Sequence, residues 1–302
     1  MPFGIVNYGA YPYHYRMQNE THMKGLVLEG GAMRGLFTAG ILDVLMENNV
    51  TFNKAAGVSA GAVFGCNFKS HQIGRAIRYN KNYASEWRYK SYRSLFLTGD
   101  LYGADFCYRT LPEELDIFDA DTFEKDPLEF YAVATDVDTG KAVYKKLSTG
   151  RGDDLEWMRA SASMPVASRV VTINGQHLLD GGITDSIPLE FLEKQGCTRN
   201  LVILTQPITY TKHQYKAFGA IKTVLHKHPT LVNALRERPA MYNAQTAYVK
   251  VREAEGSAFV LRPPEALNVS PLEKNPDELQ RVYDTGRKLA EEKLQEIIEF
   301  LG

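Results

Sequence analysis

The chain has 302 residues, enough for one large α/β domain or two small ones with a substantial buried core. Its 44% apolar and 24% charged residues are ordinary for a globular protein, and a formal net charge of −1 argues against an overall basic field for nucleic acid. Its three cysteines lack CxxC or Cys/His ligand spacing, which indicates neither a disulfide scaffold nor a zinc site and favours a reducing, cytoplasmic setting.

The beginning of the chain shows no targeting or membrane pattern. No apolar run reaches the roughly 18 residues that a membrane-spanning helix needs. No basic segment precedes an apolar core, so no signal peptide is predicted. Residues 1–22 are rich in Tyr, Pro and Gly without any period. We therefore expect an N-terminal arm at 1–22, followed by a single domain at 23–302.

Strands and helices alternate along the rest of the chain. Short apolar runs predict strands, and apolar residues at helical spacing predict helices. The predicted strands are 24–28, 129–135 with a second strand after the turn at 138–140, 200–206 and "SAFVLRPP". The predicted helices follow Gly35, Ser59 and Pro188, and also occupy parts of 70–98, most of 214–254 and the terminal "PDELQRVYDTGRKLAEEKLQEIIEFL". This alternation predicts a mostly parallel sheet covered by helices on both faces.

Two local signals give more detail in the middle of the chain. Asn174-Gly175 predicts the type I′ turn of a β-hairpin, whose returning strand runs into Asp180. In "GDDLEWMRASAS", either Asp153 or Asp154 is predicted to cap the start of a helix.

A glycine turn, "GGAMRG", follows the first predicted strand at residues 30–35. A Walker A loop would need a lysine followed by Ser or Thr, and a dinucleotide fingerprint would need G-x-G-x-x-G, so both nucleotide interpretations are weak. Converging backbone N–H groups at a helix start, together with Arg34, nevertheless predict an anion site. The anion is either a bound phosphate or an oxyanion that develops during a reaction.

A second motif, Gly57-Val58-Ser59-Ala60-Gly61, has the G-x-S-x-G pattern of a nucleophile elbow between a strand and a helix. The alternative is a turn of small residues that only packs a helix on a sheet. A nucleophilic serine needs a base, and none of the seven histidines has the glycine-flanked loop setting of a triad histidine. Asp180 stands at the end of an apolar strand before two glycines, where α/β sites are built, although D-G is also a common turn pair.

In this order the three motifs resemble those of the patatin-like phospholipase family. The family pattern is G-G-G-x-[RK]-G, then G-x-S-x-G, then D-G-[GA], and the stretch "RASASMPVAS" resembles the family's segment before the aspartate. The resemblance covers about residues 24–206, and the mainly helical part at 207–302 resembles bacterial patatin-like proteins with less specific signals. Ala32 departs from the pattern at its third glycine, which matters only if that residue needs a positive φ.

The resemblance implies a three-layer α/β/α fold with a central, mostly parallel sheet. It also implies a lipid acyl hydrolase or serine esterase, phospholipase A-like, that works through an acyl-enzyme. Ser59 is then the nucleophile and Asp180 the base, in a dyad without histidine. The N–H groups of Gly30, Gly31 and Ala32 form the oxyanion hole. Arg34 steadies the loop or contacts a lipid phosphate, and no cofactor or metal is required.

Two other functions stay open on the sequence. One is a non-catalytic lipid-binding or regulatory module, and the other is a Ser-His-Asp hydrolase that uses His213 or His226. The expected partner is a lipid or small ester substrate, without nucleic acid. Residues 75–93 interleave basic and aromatic side chains, which predicts peripheral membrane contact, an acyl groove or a solvated helix with a packed aromatic side. The physiological lipid, its head group and the oligomeric state are left open.

Overall fold

The computed structural model describes residues 22–302. Its centre is one eight-stranded sheet with the order β5-β6-β3-β2-β1-β7-β8, and β4 also pairs with β3. The strands are β1 Lys24–Leu28, β2 Lys54–Val58, β3 Glu129–Asp136, β4 Lys141–Leu147, β5 Val171–Ile173, β6 Gln176–Asp180, β7 Arg199–Ile203 and β8 Ala258–Leu261. The run β3-β2-β1-β7-β8 is parallel, whereas β4, β5 and β6 pair in antiparallel fashion.

Helices cover both faces of this sheet. They are α1 Gly35–Glu47, α2 Ala60–Lys69, α3 Arg75–Asn82, α4 Tyr92–Thr98, α5 Ala120–Lys125, α6 Asp153–Ser161, α7 Leu189–Lys194, α8 Phe218–Val224, α9 Pro229–Ala254 and α10 Pro276–Leu301. Alternate residues of β1 enter different cores, as the two-residue period of a strand requires. Leu26 and Leu28 pack with α1, α2 and α10, whereas Val27 packs with α7 and α9. The three-layer α/β/α prediction is therefore confirmed.

The element predictions agree with the structure except at a few positions. Asn174 and Gly175 have φ values of 50° and 81°, as a type I′ turn requires, so the predicted hairpin is confirmed. The predicted cap of α6 is wrong, because the N-cap residue is Gly152, which has no side chain to form a capping hydrogen bond. Asp154 instead accepts hydrogen bonds from the backbone N–H groups of residues 148–150. These loop donors compete with the helix for the same carboxylate.

Other predictions concern the two ends of the chain. The predicted arm at 1–22 falls outside the described residues, apart from His22. The terminal helix predicted from apolar spacing is confirmed as α10, in which Leu279, Val282 and Ile297 are fully buried. Within the range 22–302, no helix is long and apolar enough to cross a membrane.

Candidate active site

Strand pairing brings Ser59 and Asp180 together. One edge of β3 is fully paired with β4, so β2 and β6 share the other edge. The last residue of β2, Val58, pairs with Val133, and the last residue of β6, Asp180, pairs with the next residue, Ala134. The two strands run towards each other from opposite directions and end at the same point. Residues 59 and 180, which are far apart in the sequence, therefore become neighbours.

Ser59 occupies the sharp turn that the G-x-S-x-G pattern predicts. Its φ of 54° lies in the left-handed region, which is rare for a residue with a side chain. The conformation is fixed on both sides: the Ser59 N–H donates to Ser161 Oγ at 2.9 Å, and its carbonyl accepts from the first turn of α2. A Cβ at Gly61 would lie 2.3 Å from the Leu28 carbonyl oxygen, so only glycine lets the turn pack on β1.

Asp180 is buried, and only one of its two carboxylate oxygens accepts a hydrogen bond within the described range. Its exposure is 1%, its Oδ1 accepts the Gly182 N–H at 2.7 Å, and its buried Oδ2 has no hydrogen-bond partner among the described residues. Burial raises the pKa of Asp180, against the opposing effects of Arg238, of the Ser59 hydroxyl and of the Gly182 N–H. The Ser59 hydroxyl is thus close enough to the Asp180 carboxyl to lower its pKa.

The glycine turn at 30–32 lies beside this pair. A Cβ at Gly30 would come within 2.8 Å of Ser59 Cβ, so the turn contacts the elbow directly. Thr205 Oγ1 donates to the Gly30 carbonyl at 2.8 Å, and the preceding Glu29 carboxylate is held by the Thr205 N–H and the Tyr242 hydroxyl. The N–H groups of residues 30–32 donate to no other group in the described range. They are therefore free to bind an anion.

A cavity of about 430 Å³ opens on these residues. Its polar lining includes Ser59, Asp180 and the glycine turn, and most of its remaining walls are apolar or aromatic. The apolar lining includes Phe64, Tyr79, Tyr89, Tyr108, Leu111, Phe118, Leu155, Met158 and Met164. Tyr79 and Tyr89 belong to the basic and aromatic segment 75–93 and are almost fully buried. The burial of these rings fits the packed aromatic side predicted for that segment, and their place in the cavity lining also fits the predicted groove.

Comparison with known proteins agrees with this geometry. The sequence model of the family described as patatin-like phospholipase matches residues 26–192, more than half of the chain. The chain belongs to the patatin-like phospholipase family. A second model, described as a domain of unknown function (DUF6363), matches residues 228–302.

Relatives of this patatin-like protein differ greatly in length. The uncharacterized protein YjjU of Escherichia coli is 28% identical over 279 residues, which cover 87% of this chain and 74% of YjjU. Lysophospholipase NTE1 of Meyerozyma guilliermondii is 27% identical over 177 residues, which cover 57% of this chain and 12% of the yeast protein. Among solved structures, VipD of Legionella pneumophila is 12% identical with a TM-score of 0.45, over 91% of this chain and 67% of VipD.

Three cationic side chains line the cavity of this patatin-like protein beside Asp180. Arg34 was expected there, and its Nε is buried without a hydrogen-bond partner in the described range. Lys212 and Arg238 were not expected. Arg238 Nε donates to the Gly182 carbonyl at 2.6 Å, and Lys212 Nζ lies 4.3 Å from the centre of the Tyr242 ring. Both follow the patatin-like match: Lys212 lies in a loop without any motif, and Arg238 lies in α9, where the sequence shows only helical periodicity.

The histidines of the described range lie away from the cavity. None of them is among its lining residues. His71 and His177 pair with Asp126 and Asp138 at the surface, and His213 and His226 are exposed. Among residues 22–302, the structure therefore offers a carboxylate, and no histidine, beside Ser59.

Proposed function

We propose that this protein is a phospholipase A-like lipid acyl hydrolase that cleaves carboxylic esters with a Ser59–Asp180 dyad. One observation carries the proposal: the buried Asp180 carboxyl, with one oxygen that has no hydrogen-bond partner among the described residues, interacts with the hydroxyl of the strained Ser59 at an apolar cavity. A buried acceptor left without a hydrogen bond is costly, which supports a role in taking up a proton during a reaction. Membership of the patatin-like phospholipase family supports the same reaction class.

The geometry supports a two-step reaction. Asp180 Oδ2 accepts the proton of Ser59 Oγ, which forms a bond to the ester carbonyl carbon. The N–H groups of Gly30, Gly31 and Ala32 stabilise the resulting oxyanion. When the C–O bond to the alcohol breaks, Asp180 returns its proton to the leaving oxygen, and an acyl-enzyme is left on Ser59. Asp180 then deprotonates a water molecule, which attacks the acyl carbon, and the carboxylic acid leaves as Ser59 regains its proton.

The cavity supports a fatty acyl ester as substrate. Its walls combine aliphatic and aromatic side chains, and transfer of an alkyl chain from water to such walls gains roughly 0.8 kcal/mol per buried methylene. The acyl part would lie along Leu111, Phe118 and Met158, while the carbonyl carbon meets Ser59. Contact with a membrane surface stays a prediction based on the exposed basic residues of the segment 75–93.

Substitution of the two dyad residues tests the proposal. Ser59→Ala and Asp180→Asn should each lower the kcat/KM for p-nitrophenyl butyrate by at least about 10³-fold. The first removes the nucleophile and the second removes its base, and the two act in the same step. The matched controls are Asp138→Asn at the exposed hairpin and His213→Ala and His226→Ala, which should keep full activity. A fluorophosphonate probe should label Ser59 in the wild-type protein.

Each alternative function has its own outcome in these assays. Full activity of Ser59→Ala would exclude the dyad. Loss of activity in His213→Ala or His226→Ala would favour a triad hydrolase. A well-folded wild-type protein that neither turns over the ester nor reacts with the probe would favour a non-catalytic lipid-binding module.

A further inference from the structure

We propose that Thr205 is a positioning residue, which aims the Gly31 N–H at the oxyanion that forms on the ester. Tyr242 supports Thr205 through Glu29, and we call these three residues the Thr205 network. The inference rests on the proposed hydrolase function. It goes beyond that function because Tyr242 belongs to the segment 228–302, which a model of unknown function matches. Neither Thr205 nor Tyr242 lies within the patatin-like match.

The strand order places the glycine turn between Thr205 and Ser59. β1 leads into the turn, and its two neighbours in the sheet are β2 and β7. Ser59 directly follows β2, and Thr205 comes two residues after the end of β7. The three strands are parallel, so their carboxyl ends meet at the same edge of the sheet. The turn at 30–32 therefore has the nucleophile on one side and Thr205 on the other.

A hydrogen bond from Thr205 fixes one peptide unit of this turn. Thr205 is fully buried, and its Oγ1 donates to the Gly30 carbonyl at 2.8 Å. The peptide bond between Gly30 and Gly31 is planar and trans, so its carbonyl and its N–H point in opposite directions. Because the carbonyl is bound on the β7 side, the Gly31 N–H is directed to the β2 side, where Ser59 lies. An oxyanion-hole donor needs this direction.

The Thr205 hydroxyl also explains why the second position of the turn is glycine. A Cβ on Gly31 would lie 2.7 Å from Thr205 Oγ1, which is closer than a side chain can approach. The hydroxyl and the turn therefore fit together without space for a methyl group. A rotation of this peptide unit would have to break the hydrogen bond to the Gly30 carbonyl.

Glu29 and Tyr242 hold the backbone of Thr205. Glu29 is buried directly after β1, and its Oε2 accepts the Thr205 N–H at 2.6 Å. Its Oε1 accepts the hydroxyl of Tyr242, a buried residue of α9, at 2.8 Å. Burial, followed by the charge of the Glu29 carboxylate, raises the pKa of Tyr242, so its hydroxyl keeps the proton that it donates. A buried carboxylate is costly unless it is hydrogen-bonded, and both of these bonds fix the residues around the turn.

Removal of the Thr205 hydroxyl tests the positioning role. Thr205→Val keeps the branched side chain and the backbone N–H, but it loses the hydrogen bond to Gly30. With p-nitrophenyl butyrate, kcat and kcat/KM should fall equally, by about tenfold, because a misaligned donor weakens only the transition state. This loss is smaller than the roughly 10²–10³-fold that removal of an oxyanion donor costs, since the Gly31 N–H remains. Thr205→Ser keeps the hydroxyl and should stay within about twofold of the wild-type kcat.

Thr230→Val is the matched control for the lost hydroxyl. Thr230 Oγ1 also donates to a backbone carbonyl, that of Val137, at 2.7 Å, but neither residue lines the cavity. This variant should lose stability and keep its kcat. All rates are expressed per Ser59 that a fluorophosphonate labels at completion, so that a partly unfolded variant is not mistaken for a slow one.

A double variant tests whether Tyr242 acts through Thr205. Tyr242→Phe removes the hydroxyl that is bonded to Glu29 and should lower kcat by about threefold or more. The double variant Thr205→Val/Tyr242→Phe should be no slower than Thr205→Val alone, because the two residues act in series. Tyr248→Phe removes another hydroxyl of α9, which donates to Glu193 outside the cavity, and it should leave kcat unchanged.

An alkyl trifluoromethyl ketone measures the oxyanion directly. Ser59 Oγ adds to its carbonyl carbon, the proton moves to Asp180, and a hemiketal oxyanion forms. The inhibition constant should rise in Thr205→Val by the same factor by which kcat/KM falls. An unchanged kcat in Thr205→Val, an equal loss in Thr230→Val or additive losses in the double variant would overturn the inference. A wild-type protein that neither cleaves the ester nor reacts with the fluorophosphonate would instead refute the proposed hydrolase function.

Discussion

Ala32 has a strained backbone conformation at the one position where the glycine turn departs from the family pattern. The family pattern has glycine at this position, and the chain has alanine. Its φ is 49°, so it does adopt the left-handed conformation that glycine accepts without a steric penalty. For a residue with a Cβ, this conformation costs roughly 1–2 kcal/mol. The turn keeps its N–H group and stores a small amount of strain.

The strain predicts that Ala32→Gly does not destabilise the protein. Relief of the left-handed penalty should offset the roughly 0.4–1 kcal/mol of added chain entropy in the unfolded state, so the free energy of unfolding should be unchanged or about 1 kcal/mol higher. The midpoint of chemical denaturation measures this. The matched control is Ala240→Gly at an exposed position of α9, which should lose about 1 kcal/mol. Equal losses in both variants would show that Ala32 is not strained.

Arg238 is predicted to set the acidic limit of the reaction. Asp180 must be ionised to act as the proposed base, so activity falls as the pH drops through its pKa. Burial raises that pKa, and the positive charge of Arg238 opposes the rise. Arg238→Gln removes this charge, so the acid limb of kcat/KM should move to higher pH while the plateau at higher pH persists.

A pH profile with p-nitrophenyl butyrate measures the shift, because this ester is uncharged and its binding does not depend on the charge of Arg238. Arg238→Lys retains a charge and should shift the limb less. Arg236→Gln removes an exposed arginine from the same helix and should leave the limb in place. An acid limb that moves to lower pH in Arg238→Gln would contradict the assigned role of Arg238.

Among single residues, the sequence predicts those that sit in short patterns. Ser59 and Asp180 were identifiable because glycines at fixed spacing mark the tight turns that present them. Lys212, Arg238 and Tyr242 reach the same cavity from segments without such patterns, and their positions depend on how the sheet and α9 pack. Asp154 is the opposite case. Its local sequence predicts a helix cap, but its carboxylate instead accepts hydrogen bonds from N–H groups of the preceding loop.

At the scale of elements, periodicity predicts the strands and helices but not how the strands pair. The hairpin at 171–180 and the parallel run could be expected from turns and apolar spacing. The end-to-end meeting of β2 and β6 along β3 could not, because it depends on a pairing register between distant segments. This meeting decides the candidate site. Motif order alone therefore predicts the dyad. The pairing of β2 and β6 along β3 explains how its two residues become neighbours.

The segment between α4 and α5 shows a second limit of periodicity. Residues 106–115 form a π-helix with Pro112 inside it, which matches neither the helical nor the strand period. Leu111 and Pro112 from this segment line the cavity. The shape of the acyl groove thus depends partly on an irregular element, and a pattern search along the sequence does not detect it.

At the scale of the whole molecule, the two matched segments share one sheet and one core. Both β8 and α10 belong to the second matched segment, 228–302. β8 pairs with β7, and α10 packs along α1. The α1–α10 contact is unusually close, since a Cβ on Gly286 would lie 2.0 Å from the Phe37 carbonyl oxygen. A Cβ on Gly40 would similarly lie 2.1 Å from the Tyr283 carbonyl oxygen. This backbone contact favours the prediction that residues 23–302 fold as one domain.

Gly286→Ala tests whether the chain is one cooperative unit. The added methyl group must push α10 away from α1, and such overpacking typically costs about 1–3 kcal/mol. In a single domain, the loss of helical circular dichroism and the loss of esterase activity should shift together to lower temperature, in one transition. Gly219→Ala adds a methyl group in α8 where nothing lies within 4 Å, and it should leave the midpoint unchanged or higher. If Gly286→Ala instead gave two transitions, with esterase activity retained through the first, the segment 228–302 would be a separate domain, and Arg238 could not be a fixed part of the site.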